Sequence, residues 1–230
     1  MTNSATAPSF PQHRPVTFAR RGVVAAPHYL ASEAGLDVLK SGGNAMDAAI
    51  AANAMLQVVY PFVCGLGGDI FMMVYEASSG KIYGLNGSGH SAGTASIERY
   101  NELGYQAMPT FGVHTITVPG CVSGWDAASQ RFGRLGLAAS LAPAISYAEE
   151  GFAIGPGLQH ALTVMSTRPE VHPSWHRHFL PDGTIPPWVR LYASLPWPRH
   201  SGPLLGKART AFIRAPLPLR SPPSLSVKKG

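Results

Sequence analysis

Apolar positions set the outline of the chain. Ala31, Ala34, Leu36, Val38 and Leu39 recur at roughly helical spacing after Pro27 and His28, and predict an amphipathic helix ended by Gly42 and Gly43. A second helix is predicted from the N-cap Asn44 to Val59, with Asp47 in its first turn and Pro61 beyond its end. Ala48, Ala49, Ala51, Ala52 and Ala54 surround nearly its whole circumference, so this helix is expected to be buried on most sides. Ahead of both, Gly22 to Ala26 is a short apolar run suited to a buried strand.

Alternation replaces helical spacing further on. Ile70 to Glu76 and Lys81 to Leu85 flank Ser78 to Gly80 and predict a β-hairpin, preceded by a glycine loop at Gly65 to Gly68. A helix is expected over Thr94 to Gly104 and a β-branched strand over His114 to Val118, closed by Pro119 and Gly120. Helices are expected over Val122 to Phe132 and Ala142 to Glu150, with Pro143 near the first turn of the latter. This succession indicates an α/β (α+β) domain in layers.

Periodicity is absent at the two ends. Residues 1–21 are polar and proline-punctuated, a flexible lead-in; residues 22–186 carry the folded pattern; residues 187–230 read as a basic, Pro-rich tail. Disorder is one reading of that tail. A reading-frame slip near Pro187 is the other, suggested by Trp188, Tyr192 and Trp197 lying so close together amid excess Leu, Pro, Arg and Ser.

Charge changes the picture only by its position. The formal net charge of +6 would suit an acidic partner, but residues 1–186 hold 10 Lys+Arg against 12 Asp+Glu, while 187–230 hold 8 basic residues and no acid. A nucleic-acid or membrane partner is therefore not expected. Cys64 and Cys121 are too few for a disulfide framework and read as small buried residues. Met1 to Arg21 lacks the apolar run of a signal peptide, and no stretch reaches the roughly 18 apolar residues of a membrane span, so a cytoplasmic chain is expected.

Three motifs invite a chemical reading. Gly89-His90-Ser91-Ala92-Gly93 matches the G-x-S-x-G nucleophile elbow and would make Ser91 a hydrolase nucleophile, although Asn86, Gly87 and Ser88 already interrupt the strand such an elbow needs. Gly65-Leu66-Gly67-Gly68-Asp69 could suggest a phosphate loop. It precedes a strand rather than a helix, so close backbone passage is the better reading. His172, His176 and His178 follow no common metal spacing and read as a solvent-exposed loop.

Taken in order, further pieces form one pattern. Gly22-Val23-Val24-Ala25-Ala26-Pro27-His28, Ala31-Ser32-Glu33-Ala34-Gly35, Gly42-Gly43-Asn44-Ala45-Met46-Asp47-Ala48-Ala49, Gly65-Leu66-Gly67-Gly68-Asp69-Ile70-Phe71-Met72 and Thr117-Val118-Pro119-Gly120 resemble the large-subunit pattern of γ-glutamyltransferases and related acylases. Phe132-Gly133-Arg134-Leu135, Pro143-Ala144-Ile145 and Ala148-Glu149-Glu150-Gly151-Phe152 continue the resemblance.

The resemblance implies an N-terminal-nucleophile hydrolase, here part of its four-layer αββα sandwich. In the family a precursor cuts itself into a large and a small subunit and exposes a threonine whose own α-amino group is the base. The acyl group moves from an amide such as glutathione onto that threonine, then to water or an amino acid, with no metal or organic cofactor. The threonine and the glycine pair of the oxyanion hole belong to the small subunit, beyond residue 230, so no catalytic residue is assigned in this chain and it is expected to be inactive alone. The implied partner is that small-subunit half, alongside a small amide or peptide substrate; the alternative reading is a non-catalytic remnant that binds a partner.

Where glutamyl-specific members carry an Arg-Glu pair after the second hairpin strand, this sequence reads Ser88-Gly89. A serine offers one neutral donor where a carboxylate offers two charged acceptors. The expectation is an acylase-like relative with Ser88, Gly89 and His90 lining the acyl pocket. Some relatives are periplasmic, whereas no secretory signal is seen here.

Overall fold

The computed structural model describes residues 17–180 and 182–186, with the backbone of two further short strands. Its elements are α1 (Tyr29–Lys40), α2 (Ala45–Val59), β1 (Phe71–Glu76), β2 (Lys81–Asn86), α3 (Ile97–Glu102), α4 (Cys121–Phe132), α5 (Leu137–Glu150), β3 (Phe152–Ala153), α6 (Pro156–Ser166), α7 (Pro173–Phe179), β4 (Leu191–Tyr192) and β5 (Leu225–Val227). No helix among the described residues is long and apolar enough to cross a membrane.

The helix α2 is the axis of the molecule. Met46, Ile50 and Ala54 pack with Ile70, Leu85, Trp125 and Leu141 in one apolar cluster. Ala52, Met55, Leu56 and Val59 pack with Leu30, Ala31, Phe152, Leu158 and Leu162 in another. Its alanine-rich circumference is what lets α1, α4 and α5 gather round it, because small side chains allow close approach on several sides.

Asn44 starts α2 with a capping box, its side chain accepting from the N–H groups of Met46 and Asp47 while Asp47 returns a bond to the N–H of Asn44. Asp47 does more than cap. Fully buried, it also accepts from the N–H groups of Arg134 (2.9 and 3.1 Å) and Leu135 (3.3 Å), and the Asn44 amide donates to the carbonyl of Phe132 at 2.6 Å. The start of α2 is thereby fastened to the turn between α4 and α5.

The hairpin forms as expected, Phe71 pairing with Asn86 through to Glu76 with Lys81. Gly80, at φ +67, closes its turn in the left-handed region. Strand β5 pairs antiparallel with β2, giving the order β1-β2-β5, and β3 pairs with β4. One face of the hairpin packs Tyr83 and Leu85 onto the helices. The other carries Phe71, Met73, Tyr75 and Ile82, which are 67%, 83%, 66% and 50% exposed.

Several expectations change. Gly22 to Ala26 is not a strand: it is without ladder partners among the described residues, and pairing is what makes a strand. His114 to Val118 is not one either. A 3-10 turn over Val113–Thr115, following Gly112 at φ +99, takes the first two residues of that stretch, with Thr115 bonding back to the carbonyl of Gly112. The helix expected over Thr94 to Gly104 shortens to α3, capped by Ser96. Pro143 lies inside α5 rather than near its first turn, since that helix begins at Leu137 after Gly136.

His176 and His178 belong to α7, not to a loop; His172 caps it by accepting from the N–H of Ser174, and Pro173 is its first residue. Helix α6 was not expected at all. Of the predicted lead-in only residues 17–21 are described, and of the predicted tail only β4 and β5; the alternatives of disorder or frame slip for 187–230 otherwise lie outside the described residues.

Candidate functional site

Where β2 ends at Asn86, the chain enters an irregular segment built by backbone contacts. The N–H of Gly87 donates to the carbonyl of Ile70 (2.8 Å), and that of Ser88 to Asn86 Oδ1 (2.9 Å). The N–H of Gly89 donates to Asp69 Oδ1 at 2.9 Å, and the carbonyl of His90 accepts from the N–H of Val118 at 2.9 Å. Thr117 Oγ1 reaches the same Asp69 oxygen at 3.4 Å. Below this, the carbonyl of Gly68 accepts from the N–H groups of Gly120 (3.1 Å) and Cys121 (2.9 Å), at the start of α4.

Three glycines make that packing possible. A Cβ on Gly89 would overlap the carbonyl of Val118, one on Gly120 the carbonyl of Gly87, and one on Gly87 would press on Ile70. The glycine loop of residues 65–68 differs from its expected role: a Cβ would meet nothing within 4 Å on Gly65 or Gly67 and only the carbonyl of Gly65 on Gly68, so the close backbone passage falls at Gly87, Gly89 and Gly120 instead. Burial, with a smaller contribution from the neighbouring Cys64 and Asp69, pushes the Cys121 thiol up to about 11. Burial also raises the Cys64 thiol.

The three residues expected to line an acyl pocket lie together here. The side chains of Ser88 and His90 are exposed on either side of half-buried Gly89. Ser91 is exposed in the same irregular segment, and α3 begins only at Ile97, so the tight strand-to-helix turn of a nucleophile elbow is not formed.

Two other places need separating from this one. A cleft of ≈ 580 Å³ between residues 21–27 and α2 is lined by Val24, Ala48, Asn53 and Arg134 among others, and by none of the predicted site residues. Among the described residues no group of three His, Cys, Asp or Glu is placed to hold a metal. His176 instead contacts the carbonyl of Ser166 at 3.2 Å, tying α7 to the end of α6.

Asp69 and Thr117 escaped the sequence reading as a pair. They stand 48 positions apart, and no spacing rule joins them.

The fold mixes helices with a small sheet that they cover on one face, and its structural neighbours are enzymes of the N-terminal-nucleophile hydrolase type, built as αββα sandwiches. The cephalosporin acylase of Bacillus halodurans superposes with a TM-score of 0.73 at 39% identity, over 84% of this chain and 37% of that one. The chain belongs to the gamma-glutamyltranspeptidase family, whose model matches residues 31–197.

Curated relatives agree. A glutathione hydrolase-like proenzyme of Bacillus subtilis is 46% identical over 133 residues, 57% of this chain and 25% of the relative. An acylase proenzyme, ACY 1, of a Pseudomonas species is 34% identical over 217 residues, 85% of this chain and 38% of the relative. The chain therefore spans between a quarter and two fifths of the length of these two proteins.

Proposed function

We propose that the chain is the first part of the large subunit of an enzyme that transfers an acyl group, γ-glutamyl or another, from an amide to water or an amino acid. In this reading a threonine supplied by a downstream small-subunit half attacks the amide carbonyl. The amine leaves with a proton, and water or an acceptor amine then cleaves the resulting ester. Alone, the chain is inactive, because it supplies neither the threonine nor the donors that stabilise the oxyanion.

The observation that carries the choice of acyl group is the packing at Gly89. With the Val118 carbonyl lying where a Cβ would be, position 89 has no room for the glutamate of the Arg-Glu pair, and Ser88 cannot grip a carboxylate as a guanidinium does. Both features favour an acylase-like enzyme in which Ser88, Gly89 and His90 line the acyl pocket. The open sheet face of Phe71, Met73, Tyr75 and Ile82 is where the second half would stack, since exposed apolar surface of this extent on one face calls for cover.

Turnover of γ-glutamyl-p-nitroanilide and of simple acyl anilides should be measured with the chain alone and with it joined to a family small-subunit half. No turnover alone, and preference for the acyl anilides when joined, is expected. Turnover by the isolated chain would refute the division of labour, and efficient glutamyl turnover with Ser88 in place would refute the specificity. A fluorophosphonate probe that modified Ser91 would replace the reading with a serine hydrolase.

A further inference from the structure

We infer that Asp69 is a positioning residue for the acyl pocket, acting through the backbone N–H of Gly89. This rests on the reading that Ser88, Gly89 and His90 line that pocket. Asp69 has an exposed side chain and makes no ion pair among the described residues. Its bonding is instead spent inward: one oxygen, Oδ1, serves both the N–H of Gly89 and the hydroxyl of Thr117.

Those two donors lie on different strands of chain. Gly89 follows β2, and Thr117 precedes α4, so a single carboxylate spans the two walls that meet at the Gly89–Val118 contact. Its neighbour Gly68 holds the second of these walls one step lower, its carbonyl taking the N–H groups of Gly120 and Cys121. Together residues 68 and 69 form a corner into which both walls are pinned. The Val118 N–H to His90 carbonyl bond then closes the far side of the loop.

The consequence concerns precision. Gly89 has no side chain of its own to hold it, and the flanking Ser88 and His90 side chains are exposed. Their direction is therefore set by the backbone on either side of the Gly89 N–H. Removing the acceptor releases that N–H, and the two side chains lose a defined direction while the helical core, which Asp69 does not enter, is untouched.

Two measurements on Asp69→Ala and Asp69→Asn test this. Amide hydrogen exchange of the chain should show Gly89 losing protection about tenfold in Asp69→Ala, as expected for loss of a hydrogen bond to a charged acceptor, with the amides of α2 unchanged. In the joined two-subunit enzyme, Asp69→Ala should raise KM for the acyl donor about fivefold and leave kcat within about twofold, because the chemistry resides elsewhere. Asp69→Asn keeps a neutral acceptor and should recover most of both effects, which also preserves the test if the alanine variant does not fold.

Unchanged exchange at Gly89 in Asp69→Ala overturns the positioning role. Faster exchange with unmoved KM overturns it differently, by taking the loop out of the acyl pocket, so the failure then belongs to the functional reading. Equal loss of kcat and protection throughout α2 would make Asp69 a general structural brace and would also overturn the proposal.

Discussion

The two sides of the hairpin differ in how far the chain satisfies itself. On the helical side α2 buries ten of its fifteen residues, Trp125 is fully enclosed with its indole N–H on Asn53, and Asp47 meets three other backbone N–H groups. On the outer side Phe71, Met73 and Tyr75 stand 66% to 83% exposed. One face thus pairs its buried polar groups, Gln57 Oε1 excepted among the described residues, and the other leaves aromatic rings uncovered, so stability comes from the first and the proposed second half would cover the second. The candidate loop lies on the boundary between them.

Breaking the helical side should be costly. Trp125→Ala removes the largest fully buried side chain and orphans Asn53 Oδ1, and is expected to destabilise the chain by about 4 kcal/mol. The midpoint of urea unfolding checks it. Asp47→Ala, which frees the N–H groups of Asn44, Arg134 and Leu135, should cost about 3 kcal/mol by the same measurement.

A pH titration sharpens the contrast without mutation. The buried Cys121 thiol is pushed up to about 11 from its ordinary 9.0, so between those values the folded chain keeps a proton that the unfolded chain has lost. Stability contributed below 9.0 is therefore lost as pH rises from 9.0 to about 11. Urea midpoints across that range should fall, and the part due to this thiol should vanish in Cys121→Ala; an identical decline in both proteins would contradict it.

The smallest effect is expected on the open face. Met73→Lys with Tyr75→Lys should change the stability of the isolated chain by no more than about 0.5 kcal/mol, since neither side chain is packed. Solubility, read by light scattering at rising concentration, should improve. A large loss of stability would mean that this face is already covered.

Local signals carried much of the architecture. The Asn44 cap, the Gly42-Gly43 stop and the alanine circumference of α2 are legible because each acts within a turn or two of chain. The hairpin was equally legible from its alternation and its turn glycine. Pro143 misled because proline tolerance at a helix start looks the same in sequence as proline inside a longer helix. His172 and Pro173 do start a helix, but histidine is not among the residues that ordinarily mark an N-cap, so the cap is not legible from residue type alone.

The candidate site was legible in its members and not in its fastening. Ser88, Gly89 and His90 could be picked out as a segment, whereas nothing in their own neighbourhood points to Asp69 or Val118 as what holds them. By itself the sequence determined where α1, α2 and α4 begin, where the hairpin turns, and which family pattern the chain follows, because capping, periodicity and turn chemistry are short-range. Only the tertiary structure decided that Asp47 would fasten two helices, that Gly22 to Ala26 would run without a ladder partner among the described residues, and that Asp69 would pin the loop. Those outcomes depend on groups 20 to 88 positions apart coming within hydrogen-bond reach, which no local propensity encodes.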